Sequence, residues 1–396
     1  MNAAPPHQPV ELHLNSYDQD DLPFDFDPTP QTIEESTSNT EIEDSATDGT
    51  TAEDVDTASP LFDDAVVPTG YDRDDNLPSF KLYSEEDLQT LGNSCATMKE
   101  EEELNRARRL LVQLRTSGPD RKLITLPADW ERNLDALAYT MPNFEEVIDI
   151  VRSALMIQAA NTRIVQFDPL LLVSRPGAGK TLFVERLAQA LQLPMSVHRM
   201  QDAQSASGLS GSEAHWSNAK PGLVMQNLVN GQHGNFLLFI DELDKANNGS
   251  NGYNPTSPLI TLLEPYTAQS FTDLCFPQLR LNASHVCYIS AVNNVHLLSE
   301  PILSRFRIVH VPLPTPQQAV QIAQTLIAAL QRDLLGERLH IQFSESALNR
   351  LSTESPRRMR LLVKEAIGRA LCAQRTVVQA EDIAIGEAPR RSIGFM

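Results

Sequence analysis

Leu170-Leu171-Leu172-Val173-Ser174-Arg175-Pro176-Gly177-Ala178-Gly179-Lys180-Thr181 is the stretch on which the reading of this chain turns. Four consecutive apolar residues predict a strand covered on both faces. Phe183, Leu187 and Leu191 then recur at helical spacing. A glycine-bearing loop ending in Lys-Thr between a strand and a helix is a phosphate-binding loop in the setting it requires. Its backbone N–H groups and the helix N-terminus supply positive potential to phosphates. Lys180 is expected to reach the outer phosphates, and Thr181 to offer its hydroxyl to Mg²⁺. Gly177 and Gly179 let the backbone approach the ligand. The first position of the GxxxxGK[ST] pattern is Ser174 instead of glycine. A serine can be held in an awkward turn conformation there at a cost of about 1–3 kcal/mol.

Downstream, Phe236-Leu237-Leu238-Phe239-Ile240 predicts a second buried strand, and it ends in Asp241-Glu242. Asp241 stands where a carboxylate holds Mg²⁺, and Glu242 where one activates an attacking water. A third apolar run, Val286-Cys287-Tyr288-Ile289, continues the alternation of strands with helical stretches. That alternation predicts an α/β domain with a parallel sheet between helices. A helical face with Val147, Ile148, Val151, Leu155 and Met156 precedes the sheet, opened by Pro142 and Asn143. Beyond Pro314 only helical patterns follow, at 317–335, 345–351 and 356–373, which predict a small helical domain.

From about Phe144 to Ile385 the sequence resembles the ATPase module of Lon-type AAA+ proteins. The matching stretches are Phe239-Ile240-Asp241-Glu242-Leu243-Asp244-Lys245 and Asn254-Pro255-Thr256-Ser257-Pro258-Leu259-Ile260-Thr261-Leu262-Leu263-Glu264-Pro265, followed by Ser270-Phe271-Thr272-Asp273. The resemblance implies a P-loop NTPase fold with an all-helical lid. It also implies ATP bound over Ser174, Arg175, Pro176, Gly177, Ala178, Gly179, Lys180 and Thr181, with Mg²⁺ on Thr181 and Asp241. Asn293, with Asn294 as the alternative, is similar to the polar residue that orients water near the γ-phosphate. Arg305 resembles the arginine finger given to the adjacent subunit's ATP. Arg357 resembles the arginine that reaches ATP from the lid, though Arg358 beside it competes for that role. Counting back from Pro221-Gly222 puts Trp216 at the aromatic position of the family's pore loop. Ser217 and Asn218 depart from the usual aliphatic and glycine, and a Trp packed in the core is the competing reading.

The charge is uneven. Of the net −20, residues 1–100 carry 24 Asp/Glu against three Lys/Arg, a net of −21. Residues 1–97 therefore read as a disordered acidic arm with apolar islands at 22–26 and 61–62 that suit docking to a partner. Residues 98–143 read as a helical connector, 144–313 as the nucleotide-binding domain and 314–396 as the lid. Such an arm does not bind nucleic acid non-specifically, because phosphates repel it. Four scattered cysteines without metal spacing, no apolar run near 18 residues and no leader pattern point to the cytoplasm and away from membranes.

The resulting expectation is an ATP-hydrolysing ring, a homo-oligomer and by the resemblance a hexamer, which remodels or translocates a protein partner. The Ser-Lys protease domain of Lon-type proteins would begin where this chain stops, so proteolysis by the chain alone is not expected. Two alternatives stay open. A nucleic-acid motor or loader draws on Arg357, Arg358, Arg360, Arg369, Arg375, Arg390 and Arg391, which make the lid basic. A nucleotide switch with little turnover draws on Ser174 and the altered pore loop.

Overall fold

The computed structural model describes residues 77–200, 207–246, 254–336 and 339–385. The acidic stretch up to residue 76, with both apolar islands, lies outside the described residues.

Residues 77–97, assigned from composition to the acidic arm, are built into the folded domain. Ser79–Lys81 (β1) pairs antiparallel with Asp120–Lys122 (β2), and helices Glu85–Ser94 (α1) and Glu101–Ser117 (α2) run between them. Ser84 starts α1 with a capping box to Asp87, which offsets unsatisfied N–H groups at that end. Leu82, Leu91, Leu110 and Leu114 are fully buried in one cluster with Leu228 and Leu238. At roughly 1.5–3 kcal/mol per buried leucine, these few apolar residues outweigh the acidic composition around them. Asp87 also pairs with Arg280 at 2.6 Å.

Helices Trp130–Thr140 (α3) and Glu145–Ala160 (α4) lead into the central sheet. In chain order the sheet region holds Leu170–Val173 (β3), Lys180–Ala190 (α5), Met195–Arg199 (β4), Ser207–Ser210 (α6), Leu223–Asn230 (α7) and Leu237–Asp241 (β5). Then come Ser257–Leu262 (α8), Pro265–Ala268 (α9), the hairpin Phe271–Thr272 (β6) and Arg280–Leu281 (β7), Cys287–Val292 (β8), Glu300–Leu303 (α10) and Arg307–His310 (β9). The sheet is parallel throughout, in the order β4-β5-β8-β3-β9. Alternation along each strand splits its residues between two cores. Leu171, Leu238, Ile240 and Tyr288 face one, and Leu170, Leu172, Leu237, Phe239 and Ile289 face the other. That is why the strands read as unbroken apolar runs.

After β9 the chain is helical: Pro316–Leu335 (α11), Glu345–Leu351 (α12) and Pro356–Cys372 (α13), around a third core. Thr315 and Gln318 form a capping box and Pro316 takes the first turn of α11, where its missing N–H costs nothing. The lid also holds a two-residue parallel pair, Gln342–Phe343 (β10) with Val377–Val378 (β11). Helical periodicity gave no sign of so short a pairing.

Candidate nucleotide site

Because the sheet is parallel, β3, β8 and β5 end side by side, and the loops that follow them meet at one edge. Val173 lies opposite Val292, and the Ser174 N–H donates to the Val292 carbonyl at 3.2 Å. Ser174 and Asn293 therefore leave the sheet as neighbours although 119 positions apart. The phosphate loop turns through Gly177 (φ 87°) and Gly179 (φ 95°), both left-handed. A Cβ at Gly179 would sit 3.3 Å from the Met141 methyl, a tight fit, and the left-handed φ itself favours glycine there. Phe144 and Phe183 stack beneath the loop, centroids 4.2 Å apart.

The Lys180 ammonium donates to the Ser174 carbonyl at 3.1 Å, the Ser174 Oγ at 2.9 Å and Asn293 Oδ1 at 3.0 Å. Burial pulls its pKa below the usual lysine value, opposed by the Asp241, Asp244 and Glu242 carboxylates. Ser174 is not in the left-handed region, so the strain expected of a serine at the loop's first position is absent. Its hydroxyl instead serves as a third acceptor for the lysine. Among the residues predicted for the site, it is Glu242 that is left-handed, at φ 54°. That turn takes the chain off β5 into a short 3₁₀ segment, Leu243–Lys245, and brings Asp244 back under β8.

Thr181 Oγ1 donates to Asp241 Oδ2 at 3.1 Å, and the Glu242 N–H to Asp241 Oδ1 at 2.9 Å. Thr181 and Asp241 are thus adjacent oxygen donors facing the loop, a pairing that fits Mg²⁺, which takes few protein ligands and completes its shell with phosphate and water. Among the described residues there is no cluster of three or more His, Cys, Asp or Glu able to hold a metal by themselves.

Two positioning residues were not singled out by sequence. Asp244 Oδ2 accepts the backbone N–H groups of Asn293 (3.2 Å) and Asn294 (3.0 Å), which fixes the turn aiming Asn293 at Lys180. Asn294 accepts from the His296 N–H at 3.1 Å, so of the two asparagines it is Asn293 that faces the loop. Asn143, buried, donates to the Ala178 and Pro312 carbonyls, each at 3.3 Å. It ties the phosphate loop to the entry of the lid. Neither role has a motif, because both depend on contacts between distant segments.

The remaining predicted residues lie elsewhere. Arg305 donates to the Ile260 carbonyl at 3.1 Å and the Pro301 carbonyl at 2.7 Å, with Glu264 at 3.8 Å. None of these contacts is with the phosphate loop. Arg357 is exposed on the first turn of α13. That helix starts beside the loop, since a Cβ on Gly177 would be 3.6 Å from Ser355 Cβ. Arg358 pairs with Glu354 at 3.3 Å, which leaves Arg357 the better placed of the two. Arg175 and Pro176 are exposed on the loop, and Ala178 is buried. Trp216 is 57% exposed, which removes the core-packing reading.

Residues 170–313 match the family model described as "ATPase family associated with various cellular activities (AAA)". The matched segment, an AAA domain by this likeness, holds the phosphate loop, Asp241, Glu242 and Asn293. Among curated relatives, the mitochondrial Lon protease homolog of Saccharomyces cerevisiae is 24% identical over 220 residues, 55% of this chain and 19% of that protein. The Lon protease of Heliobacterium modesticaldum is 25% identical over 214 residues, 54% of this chain and 26% of its own length. The match thus spans only about a fifth to a quarter of those relatives. A solved structure of the Thermotoga maritima RuvB Holliday junction branch migration motor is similar at a TM-score of 0.44 and 17% identity, covering 60% of this chain and 66% of that one. The AAA domain carries the general expectation of nucleotide binding and ATPase activity, and Lys180, Thr181, Asp241, Glu242 and Asn293 lie together at the ends of its strands.

Proposed function

We propose that the chain hydrolyses ATP with Mg²⁺ and uses the cycle to pull on or reshape a polypeptide, working as a ring whose sites are shared between subunits. The observation that carries the polypeptide reading is Trp216. Its side chain is mostly in water, on a backbone held by hydrogen bonds to Arg106. An indole offers a large apolar contact that tolerates any sequence, because grip comes from area rather than matched hydrogen bonds.

ATP, when bound, would supply the phosphoryl group, and Mg²⁺ would help neutralise the negative charge of its phosphates. Lys180 would exchange its neutral acceptors for phosphate oxygens, Thr181 and Asp241 would hold the ion, and Asn293 would orient the water that Glu242 deprotonates. Arg305, which makes no contact with its own phosphate loop, suits donation to a neighbour.

Three of the lid arginines behind the nucleic-acid reading are paired within the lid, while Arg390 and Arg391 lie outside the described residues. Arg358 pairs with Glu354, Arg369 with Glu365 and Arg375 with Asp382, at 3.3, 3.2 and 2.7 Å. Charges matched within the lid release few counterions on meeting a phosphate backbone. Steady-state ATPase with casein or with single-stranded DNA separates the two. We expect stimulation by casein, its loss in Trp216→Ala, and an unchanged melting temperature in that variant. Stimulation by DNA alone overturns the polypeptide reading.

A further inference from the structure

We infer that Arg106 sets the outward conformation of the Trp216 loop, and that α2 and this loop form one mechanical piece. For its consequence in function this rests on the polypeptide reading of Trp216. The clamp itself stands on geometry.

Arg106 is only 7% exposed. Its guanidinium donates to the carbonyls of Ala214 at 2.7 Å, Trp216 at 3.2 Å and Ser217 at 2.9 Å. A planar fork of N–H donors matches converging carbonyls in a way no lysine does. Among the described residues no ion pair involves Arg106; its partners are peptide carbonyls and the Cys275 thiol. Removing it would leave the Ala214 and Ser217 carbonyls without this donor, while the Trp216 carbonyl keeps the Ala219 N–H at 3.0 Å.

Nothing in the packing of the indole does this work. Its described ring contact is with His215, centroids 5.2 Å apart, and most of its surface is in water. The base of the loop is secured separately. Asp273, 1% exposed, accepts the Gly222 N–H at 2.8 Å and the Cys275 N–H at 2.9 Å. Ser212 and Lys220 also bond to each other across the neck. Within the tip the Trp216 N–H donates to the Glu213 carbonyl at 3.1 Å and the Ala219 N–H to the Trp216 carbonyl at 3.0 Å, and Arg106 adds the donors that tie this turn to α2.

At the other end, α2 is anchored by Ala107, Leu110 and Leu114, all fully buried in the core cluster shared with Leu238 of the sheet. A tilt of α2 is thus carried to Trp216 through three hydrogen bonds. Arg106 is a positioning residue for that loop.

The test uses the full chain labelled with 5-fluorotryptophan. Its two tryptophans give two fluorine resonances, Trp130 buried and Trp216 exposed, told apart by the solvent-isotope shift. In Arg106→Met, which keeps an apolar stem, the Trp216 line should narrow at least twofold and move toward its unfolded position while the Trp130 line stays. Arg106→Lys should fall between Arg106→Met and the unmodified chain. An unmoved Trp216 line overturns the clamp. So does movement of both lines with a lowered melting temperature, which is the mark of a merely structural role. If casein fails to stimulate the unmodified chain, the polypeptide reading falls while the fluorine result still decides the role of Arg106.

Discussion

Lys180 gives its three protons to three neutral oxygens, two of them on Ser174, so a phosphate arriving at the ammonium has to displace them. A loop with glycine at this position has no hydroxyl to compete. Ser174→Ala removes the acceptor but keeps the Cβ, and it should tighten ATP binding about threefold to tenfold, the worth of one modest hydrogen bond. Titration with a fluorescent ATP analogue measures this, and unchanged or weaker binding would contradict the competition. The roles of Lys180, Thr181, Asp241 and Glu242 were legible in sequence because the chemistry fixes their spacing within a loop or at a strand end. The conformation of Ser174 was not. An awkward turn conformation was expected where the pattern usually has glycine, and the left-handed backbone lies at Glu242 instead. Arg106, Asn143 and Asp244 were illegible as functional residues for a related reason. Each bonds to backbone far along the chain, and backbone acceptors and donors leave no trace in residue type.

At the scale of elements, the Trp216 loop is held at its base by a carboxylate with unusual properties. Burial pushes the Asp273 pKa up to about 7, opposed by the N–H groups of Cys275 and Gly222. A carboxyl whose folded pKa exceeds its unfolded value binds more protons when folded. The stability it contributes is therefore complete below pH ~4 and is lost as pH rises through about 7. Asp273→Asn cannot titrate there. The difference in melting temperature between the unmodified chain and this variant should shrink by at least ~2 °C from pH 5 to pH 8. A difference constant across that window would contradict the buried-carboxyl account. The strands and long helices were readable from apolar periodicity, because burial imposes it on every turn and pleat. The first described elements were not, since β1 and α1 are short, acidic outside and fixed by tertiary contacts such as Asp87–Arg280.

At the scale of the whole molecule, one chain supplies the phosphate loop, Asp241, Glu242 and Asn293, while the contacts of Arg305 lie with Ile260, Glu264 and Pro301. If neighbouring copies share sites, Arg305→Ala should bind ATP normally and hydrolyse it at least ~10³-fold more slowly. Mixed with Lys180→Ala, it should regain activity at interfaces where both intact halves meet. No recovery at any ratio, with subunit mixing shown independently, would contradict a shared site. The fold class followed from the alternation of strands and helices, and the lid from its end at Pro314. The way the lid reaches the site, through Gln318 to the Pro142 carbonyl and Asn143 to Pro312, required the folded chain. The most direct measurement is a paired one on the purified full chain: ATP binding and steady-state hydrolysis, with Mg²⁺, for the unmodified protein, Lys180→Ala and Glu242→Gln. Hydrolysis at this site predicts turnover in the first, loss of binding in the second, and in the third retained binding with turnover reduced at least ~10²-fold. Turnover in Glu242→Gln equal to that of the unmodified chain, or equal loss of ATP affinity in both variants, would contradict it.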